Sequence, residues 1–179
     1  MAKKGFVKVI KDDQKRIQKI QNELRKLYGA KLKIGVMGED DKDMVMIASV
    51  HEFGVRIEVT DKMRGWFMGQ GYFISPDTKY INIPERSYLR RAFDENLSDI
   101  RSDGNELLTK VVRGEATANQ FMNKMGVMLV SIVRQTIDDV DKPPLSDMTK
   151  EMRTGQGGGE SPLQDTGRLW QAISYEVEW

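Results

Sequence analysis

The only histidine of this 179-residue chain lies in the run His51-Glu52-Phe53-Gly54, so any histidine chemistry depends on this place. Histidine followed by glutamate is how the zinc-protease motif begins, but that motif needs a second histidine four residues after the first. Valine occupies that position here. The sequence therefore excludes a zinc-protease site of this type.

Two glycine-containing runs are candidates for a catalytic or a phosphate-binding loop. The run Gly159-Glu160-Ser161-Pro162-Leu163 lacks the second glycine of a nucleophile elbow. The run Gly155–Gly159 contains four glycines, but no lysine followed by serine or threonine comes after it and no strand precedes it. Neither run predicts a serine hydrolase or a phosphate-binding loop.

Carboxylates are concentrated at Glu39, Asp40, Asp41 and Asp43. Their spacing differs from that of a calcium-binding loop, and acidic residues before a helix complement its dipole. The chain has no cysteine, which excludes disulfides and thiolate metal sites. We therefore predict no metal, no cofactor and no enzymatic activity.

The elements around His51 predict a rigid corner. A helix begins near Asp43 with Met44, Ile47, Ala48 and His51 on one face, and Gly54 supplies a left-handed stop. The strand Tyr80–Ile83 then meets Pro84, which is expected in the first turn of the next helix. His51 and Glu52 are interpreted as a polar pair that hydrogen-bonds the backbone crossing from this corner. Arg86, Arg90 and Arg91 form either a solvated face or a basic ridge for a neighbouring subunit.

Apolar periodicity predicts the remaining elements. Residues 66–68 and 72–74 are predicted to form a hairpin whose aromatic side chains cover the sheet or are buried between subunits. The other predicted helices are 9–28, 85–100, 105–113 after a kink near Gly104, 116–139 capped by Thr117, and 166–173; the other predicted strands are 31–37, 55–60 and 174–179.

These elements predict an α+β fold. Its small mixed or antiparallel sheet is made of the strands at 31–37, 55–60, 80–83 and 174–179, and it is packed by the long core helix and the N-terminal amphipathic helix. We expect an N-terminal basic helix over 1–30 and a single α+β domain over 31–179. The glycine-rich segment 154–160 is expected to be a mobile loop that a partner orders.

Charge is distributed unevenly along the chain. Residues 1–33 carry eleven basic against three acidic residues, a net charge of +8, and the rest carries 17 against 24, a net charge of −7. The basic segment is either a solvated helix or an arm that contacts an acidic neighbour or DNA. No signal peptide or membrane-spanning run is predicted, because no apolar run approaches about 18 residues.

Four segments, taken in order, resemble one family. They are Ala48–Gly54, Ile83–Arg90, Pro143–Ser146 and Pro162–Leu169, and we refer to them as the four motif segments. Together they resemble the tail-completion, or virion-morphogenesis, family of long-tailed bacteriophages, which includes minor tail protein Z and putative tail-component proteins. The resemblance extends over roughly residues 31–175.

The resemblance implies a non-enzymatic structural protein in the neck of a virion, assembled in the host cytoplasm. It implies a homo-oligomeric ring, six-fold or twelve-fold, between head-completion proteins and tail-tube or tail-terminator proteins. DNA would pass through its channel without sequence-specific binding, and no membrane is involved. The alternative is a nucleic-acid-binding protein that uses the basic N-terminal segment. The expected assembly residues are His51, Glu52, Phe53, Gly54, Pro84, Arg86, Leu89, Arg90, Pro144, Leu163, Asp165, Thr166 and Gly167.

Overall fold

The computed structural model describes residues 3–38, 42–154 and 161–179. It confirms the α+β class. Its helices are α1 (Lys3–Gly29), α2 (Lys42–Phe53), α3 (Asp61–Gly69), α4 (Tyr88–Val112), α5 (Ala118–Asp139), α6 (Asp147–Thr154) and α7 (Arg168–Ala172). Its strands are β1 (Lys31–Val36), β2 (Val55–Glu58), β3 (Tyr80–Ile83) and β4 (Ile173–Glu178).

The strands form two separate pairs rather than the predicted four-stranded sheet. β1 pairs with β4, and β2 pairs with β3 in antiparallel register, with Val55 opposite Ile83 and Glu58 opposite Tyr80. Apolar alternation predicted all four strands, because it reports which face of a strand is buried. It does not specify the partner strand, which depends on turns and on contacts distant in sequence.

The predicted hairpin at 66–74 is wrong. Residues 61–69 form α3, so Trp66, Phe67 and Met68 are helical, and residues 72–74 form no regular element. The Thr60 hydroxyl accepts a hydrogen bond from the Met63 N–H at 3.3 Å, which caps the helix. Asp61 adds a favourable charge to the first turn. The cap residue and the following aspartate were the sequence signal for this helix.

Helix α4 also differs from its prediction. It begins at Tyr88, so Pro84 precedes the helix rather than lying in its first turn. It then runs without a break through Gly104, where a kink was predicted. A Cβ at Gly104 would lie 3.6 Å from the Cε of Met125, so this glycine allows α4 and α5 to approach closely. Close packing compensates for its low helix propensity.

The prediction for α5 is confirmed. The Thr117 hydroxyl accepts from the Gln120 N–H at 3.2 Å, and the Gln120 side chain accepts from the Thr117 N–H at 2.9 Å. This reciprocal pair is a capping box. The buried side chains of α5 are Ala118, Met122, Met125, Leu129, Val130, Val133, Thr136 and Ile137. Two methionines thus serve as core residues, as their helical spacing predicted.

The chain divides into two compact units. The first unit contains Met1–Ile34, Asn96–Ser131 and Ser174–Trp179, and the second contains Gly35–Glu95 and Ile132–Ile173. Within the first unit, Glu23 of α1 accepts from the Ala118 N–H at 2.8 Å, at the start of α5. The predicted division at residue 30 concerns independent folding and stays a prediction. Across the described ranges, the helices are all too short or too polar to cross a membrane.

Candidate functional site

The carboxylate of Glu52 lies at the N-terminus of α4. Met44, Ala48 and Glu52 are the buried residues of α2, at successive steps of four, so the glutamate lies on the core-facing side of its helix. Its carboxylate accepts hydrogen bonds from the Ser87 hydroxyl at 2.6 Å and from the N–H groups of Leu89 and Arg90 at 2.8 and 3.0 Å. These two N–H groups would otherwise lack partners, because they belong to the first turn. A distant glutamate therefore caps α4.

Arg86 connects the same corner to the proline segment. Its side chain is 5% exposed and donates from Nε to the Pro143 carbonyl at 2.7 Å and from Nη2 to the Pro144 carbonyl at 2.9 Å. Its backbone N–H donates to the His51 carbonyl at 2.8 Å. Burial lowers the pKa of the guanidinium, with a smaller contribution from the charge of Arg153. One arginine therefore joins three of the four motif segments.

His51 is half-buried at the end of α2. Burial lowers its pKa to about 4, and the positive charges of Arg86 and Arg153 act in the same direction. The imidazole is therefore neutral at pH 7. Its Nδ1 atom is buried and makes no hydrogen bond with the described part of the chain. The Glu52 carboxylate hydrogen-bonds the crossing backbone as predicted for the polar pair, whereas His51 contributes its main-chain carbonyl rather than its imidazole.

Gly54 allows two backbone segments to approach each other. Its φ angle is +68°, the left-handed conformation that glycine adopts without steric cost. A Cβ at this position would lie 2.8 Å from the backbone nitrogen of Glu85 and 3.0 Å from the carbonyl oxygen of Ile83. A side chain here would therefore push Ile83–Glu85 away from the end of α2.

We predict that Gly54→Ala lowers the free energy of unfolding by about 2 kcal/mol. The left-handed conformation contributes about 1 to 2 kcal/mol, and the contact with Glu85 adds to it. Gly65→Ala is the matched control, because nothing lies within 4 Å of that Cβ position inside α3. Alanine there should stabilise the helix by about 0.5 to 1 kcal/mol. Equal losses for both variants in urea denaturation would contradict the close approach at Gly54.

Arg153, near the end of α6, holds the start of the last motif segment. Its guanidinium donates to the carbonyls of Ser161 and Pro162 at 2.9 and 3.3 Å, and its Nε lies 3.6 Å from the Asp165 carboxylate. Leu163, which follows Pro162 in the chain, is buried. Gly167 has φ +73° and precedes α7, so it provides the left-handed turn into that helix. Arg153 thus anchors the chain on the far side of residues 155–160, which lie outside the described residues.

A cavity of about 210 Å³ lies between α2 and the last motif segment. Met44, Ile47 and His51 line it from α2, and Arg153 lines it from the end of α6. The remaining lining residues are Leu163, Asp165, Thr166, Gly167, Arg168 and Leu169. Apolar and charged side chains therefore share this cavity, which we call the α2 cavity.

The second unit brings most of the expected assembly residues together. His51, Leu163, Asp165, Thr166 and Gly167 line the α2 cavity, and Glu52, Gly54, Arg86, Leu89, Arg90 and Pro144 meet at the start of α4. Phe53 and Pro84 are exposed instead. The three-arginine ridge is divided: Arg86 is buried, whereas Arg90 pairs with Glu85 and Arg91 with Glu95. The predicted surface ridge is therefore wrong for Arg86.

The carboxylate cluster can be described only in part. Residues 39–41 lie outside the described residues. Asp43 lies in the first turn of α2, which begins at Lys42, so it complements the dipole from inside the helix rather than preceding it. Within the described ranges, no group of three or more His, Asp or Glu side chains could hold a metal ion.

Sequence reasoning missed Arg64 and Arg153. Each arginine donates to backbone carbonyls of an irregular segment eight to fourteen residues later in the chain. A guanidinium suits this role because it has five donors and no acceptor. Their partners are main-chain atoms, so the amino-acid sequence carries no residue signal for these contacts.

Comparison of the chain with protein-family models, with curated proteins and with solved structures finds no match.

We predict that stability decreases as the pH falls from 7 to 5, through His51. The unfolded histidine has a pKa near 6.5 and the folded one near 4, so the unfolded chain binds more protons in this interval. The loss should be about 2 kcal/mol between pH 7 and pH 5. The groups facing the imidazole include Arg86, Arg153, Asp165 and Arg168.

His51→Gln provides the comparison, because glutamine does not titrate. Urea denaturation of both proteins at pH 7, 6 and 5 should give a smaller pH dependence for the variant by about 2 kcal/mol. Identical pH profiles would mean that the imidazole is accessible to protons in the folded chain.

Proposed function

We propose that this chain is a structural virion protein of a long-tailed bacteriophage. It acts at the junction of head and tail, in neck or tail completion or as a tail terminator, as a connector that forms a homo-oligomeric ring. Its neighbours are head-completion proteins on one side and tail-tube or tail-terminator proteins on the other. DNA passes through the ring without sequence-specific recognition.

One observation supports this proposal above the others: the four motif segments that resemble the tail-completion family meet in one place. Glu52 joins the first segment to the second, and Arg86 joins both to Pro143–Pro144. The last segment and His51 line the same cavity. Short matches that arise by chance are not expected to lie together in the folded chain. Segments of one family motif are expected to do so, because they form one site.

The polar groups at this corner suit a structural role. The Glu52 carboxylate is occupied by three donors, and Arg86 donates to three acceptors if its backbone is included. Polar groups that make several internal hydrogen bonds hold the segments they join in place. A rigid corner of this kind would present neighbouring surfaces in a fixed geometry, which a ring subunit requires.

Location in the source particle tests the proposal. We expect gold-labelled antibody against the chain to bind at the head-tail junction in electron micrographs. Particles grown without the chain should accumulate as separate filled heads and tails, and supplying the wild-type chain should restore joining. Joined, infectious particles that lack the chain would overturn the proposal.

A second candidate, nucleic-acid binding, is favoured by the surface of α1. Its exposed basic residues include Lys15, Arg16, Lys19, Arg25 and Lys26. A phosphate-binding surface would give an affinity for duplex DNA that falls steeply with salt. Lys15→Glu combined with Lys19→Glu should then abolish binding, and retained head-tail joining in that variant would separate the two functions.

A further inference from the structure

The last motif segment is a short, irregular part of the second unit that packs against α2. Residues 161–167 form turns and bends, and α7, which follows them and contacts α2, has five residues. Leu163 and Leu169 are its buried leucines. Opening a short segment of this kind costs less free energy than unfolding the unit that contains it. The segment can therefore leave α2 while the rest of the unit stays folded.

The imidazole of His51 lies at the contact between α2 and this segment. It lines the α2 cavity together with Leu163, Thr166 and Leu169. Its Nδ1 atom is buried and has no hydrogen-bond partner within the described residues. The neighbouring carboxylate of Glu52 accepts its hydrogen bonds at the start of α4 instead. A proton bound at Nδ1 would find no acceptor among these residues, so burial opposes the charged ring.

The charged groups around His51 also oppose a positive ring. Arg86 acts on it from the segment before α4 and Arg153 from the end of α6, and Arg168 lines the same cavity from α7. Asp165 supplies the carboxylate of the described lining, and this carboxylate lies 3.6 Å from the Nε of Arg153. Burial first, and then the charges of Arg86 and Arg153, lower the pKa of His51 from 6.5 to about 4. The closed contact therefore holds the neutral imidazole.

We propose that protonation of His51 releases the last motif segment from α2, so that this contact responds to pH. When the segment opens, water reaches the imidazole, and the ring accepts a proton from the solvent as an exposed histidine does. The proton stabilises the open form and not the closed one, so acid shifts the equilibrium toward opening. The inference concerns the isolated chain and does not depend on the proposed function.

The size of the effect follows from the pKa of His51 in the two forms. With values near 4 in the closed form and 6.5 in the open form, the opening constant should rise about twentyfold between pH 7 and pH 5. The same proton uptake lowers the overall stability of the chain. The additional claim is that the last motif segment opens before the rest of the second unit unfolds.

Amide hydrogen exchange of the full-length chain measures this opening. The N–H groups of Gln164 and Gln171 donate to the carbonyls of Ser161 and Gly167 at 3.2 and 3.1 Å, so their exchange reports on the segment. After correction for intrinsic exchange rates, their opening constants should rise about twentyfold from pH 7 to pH 5. In His51→Gln, which does not titrate, they should change by about twofold or less.

Urea separates local opening from unfolding of the whole unit. The Val59 N–H donates to the Lys79 carbonyl at 2.9 Å, next to the pair of β2 and β3 in the same unit. At pH 5, low urea should accelerate exchange at Val59 and leave Gln164 and Gln171 nearly unchanged, because local opening exposes little surface. Equal urea dependence at Gln164 and Val59 would show that the unit unfolds as a whole and would overturn the inference.

The imidazole resonance gives a measurement in the wild-type chain. His51 is the only histidine, so its NMR signal needs no assignment by mutation. The folded chain should keep the chemical shift of a neutral ring from pH 7 to pH 5. A ring that titrates near pH 6.5 in the folded chain would overturn the inference. A twentyfold rise in opening that persists in His51→Gln, or an opening constant that ignores pH in the wild-type chain, would overturn it as well.

Discussion

Replacing Glu52 with alanine should lower the free energy of unfolding by about 3 to 4 kcal/mol. The carboxylate is buried and accepts three hydrogen bonds, two of them from N–H groups in the first turn of α4. A hydrogen bond to a charged group contributes about 1.5 to 3 kcal/mol, and water entering the space left by the side chain recovers part of it. The loss should appear as a lower midpoint in urea denaturation.

Glu52→Gln separates the charge from the shape. Glutamine keeps one acceptor oxygen but turns an NH₂ group toward donors, so we expect about half the loss of the alanine variant. Glu85→Ala is the matched control, since Glu85 pairs with Arg90 on the surface and both side chains are at least half exposed. It should cost about 0.5 kcal/mol or less. A similar loss for Glu52→Ala and Glu85→Ala would mean that α4 does not depend on its cap.

Local patterns predicted the elements whose signals lie within a few residues. The strands predicted at 31–37 and 80–83, the stop at Gly54 and the helix cap at Thr117 all belong to this group. Each depends on alternation, on a positive φ angle or on a side chain three residues away. Such features are stabilised locally, so tertiary contacts did not alter them.

Contacts between distant segments account for what the sequence did not predict. Glu52 caps a helix that begins 36 residues later, and Arg64 holds carbonyls up to fourteen residues away. Apolar spacing placed Met44 and Ala48 on the buried face of α2, and Glu52 was expected to hydrogen-bond the crossing backbone. The sequence did not predict that its donors are the first N–H groups of α4, because these lie 37 and 38 residues later in the chain. The pairing of β1 with β4 has the same origin, since the two strands are far apart in the chain.

The corner itself was predicted in position but not in mechanism. Pro84 was expected to fix it, yet Pro84 is exposed and precedes α4 by several residues. The rigid contacts come instead from Glu52, Arg86 and the close approach at Gly54. Glu52 and Arg86 each connect segments that are distant in the chain, whereas Pro84 fixes only its own φ angle.

Arg86→Met should lower the free energy of unfolding by about 3 kcal/mol and loosen the proline segment. Methionine fills a similar volume but donates nothing, so the carbonyls of Pro143 and Pro144 lose their donors. Arg86→Lys should cost about 1 to 2 kcal/mol, because an ammonium cannot reproduce the two-pronged geometry of the guanidinium. Arg91→Met, which removes a surface ion pair with Glu95 on the same helix, should cost about 0.5 kcal/mol or less.

Amide hydrogen exchange distinguishes this anchor from general destabilisation. If Arg86 holds the proline segment, exchange at residues 145–149 should be faster in Arg86→Met than in the wild-type chain to which urea has been added until the two unfolding free energies are equal. The two proteins then share the same unfolding free energy, so only local opening differs between them. Equal exchange at 145–149 in the matched pair would mean that Arg86 stabilises the fold as a whole without anchoring this segment.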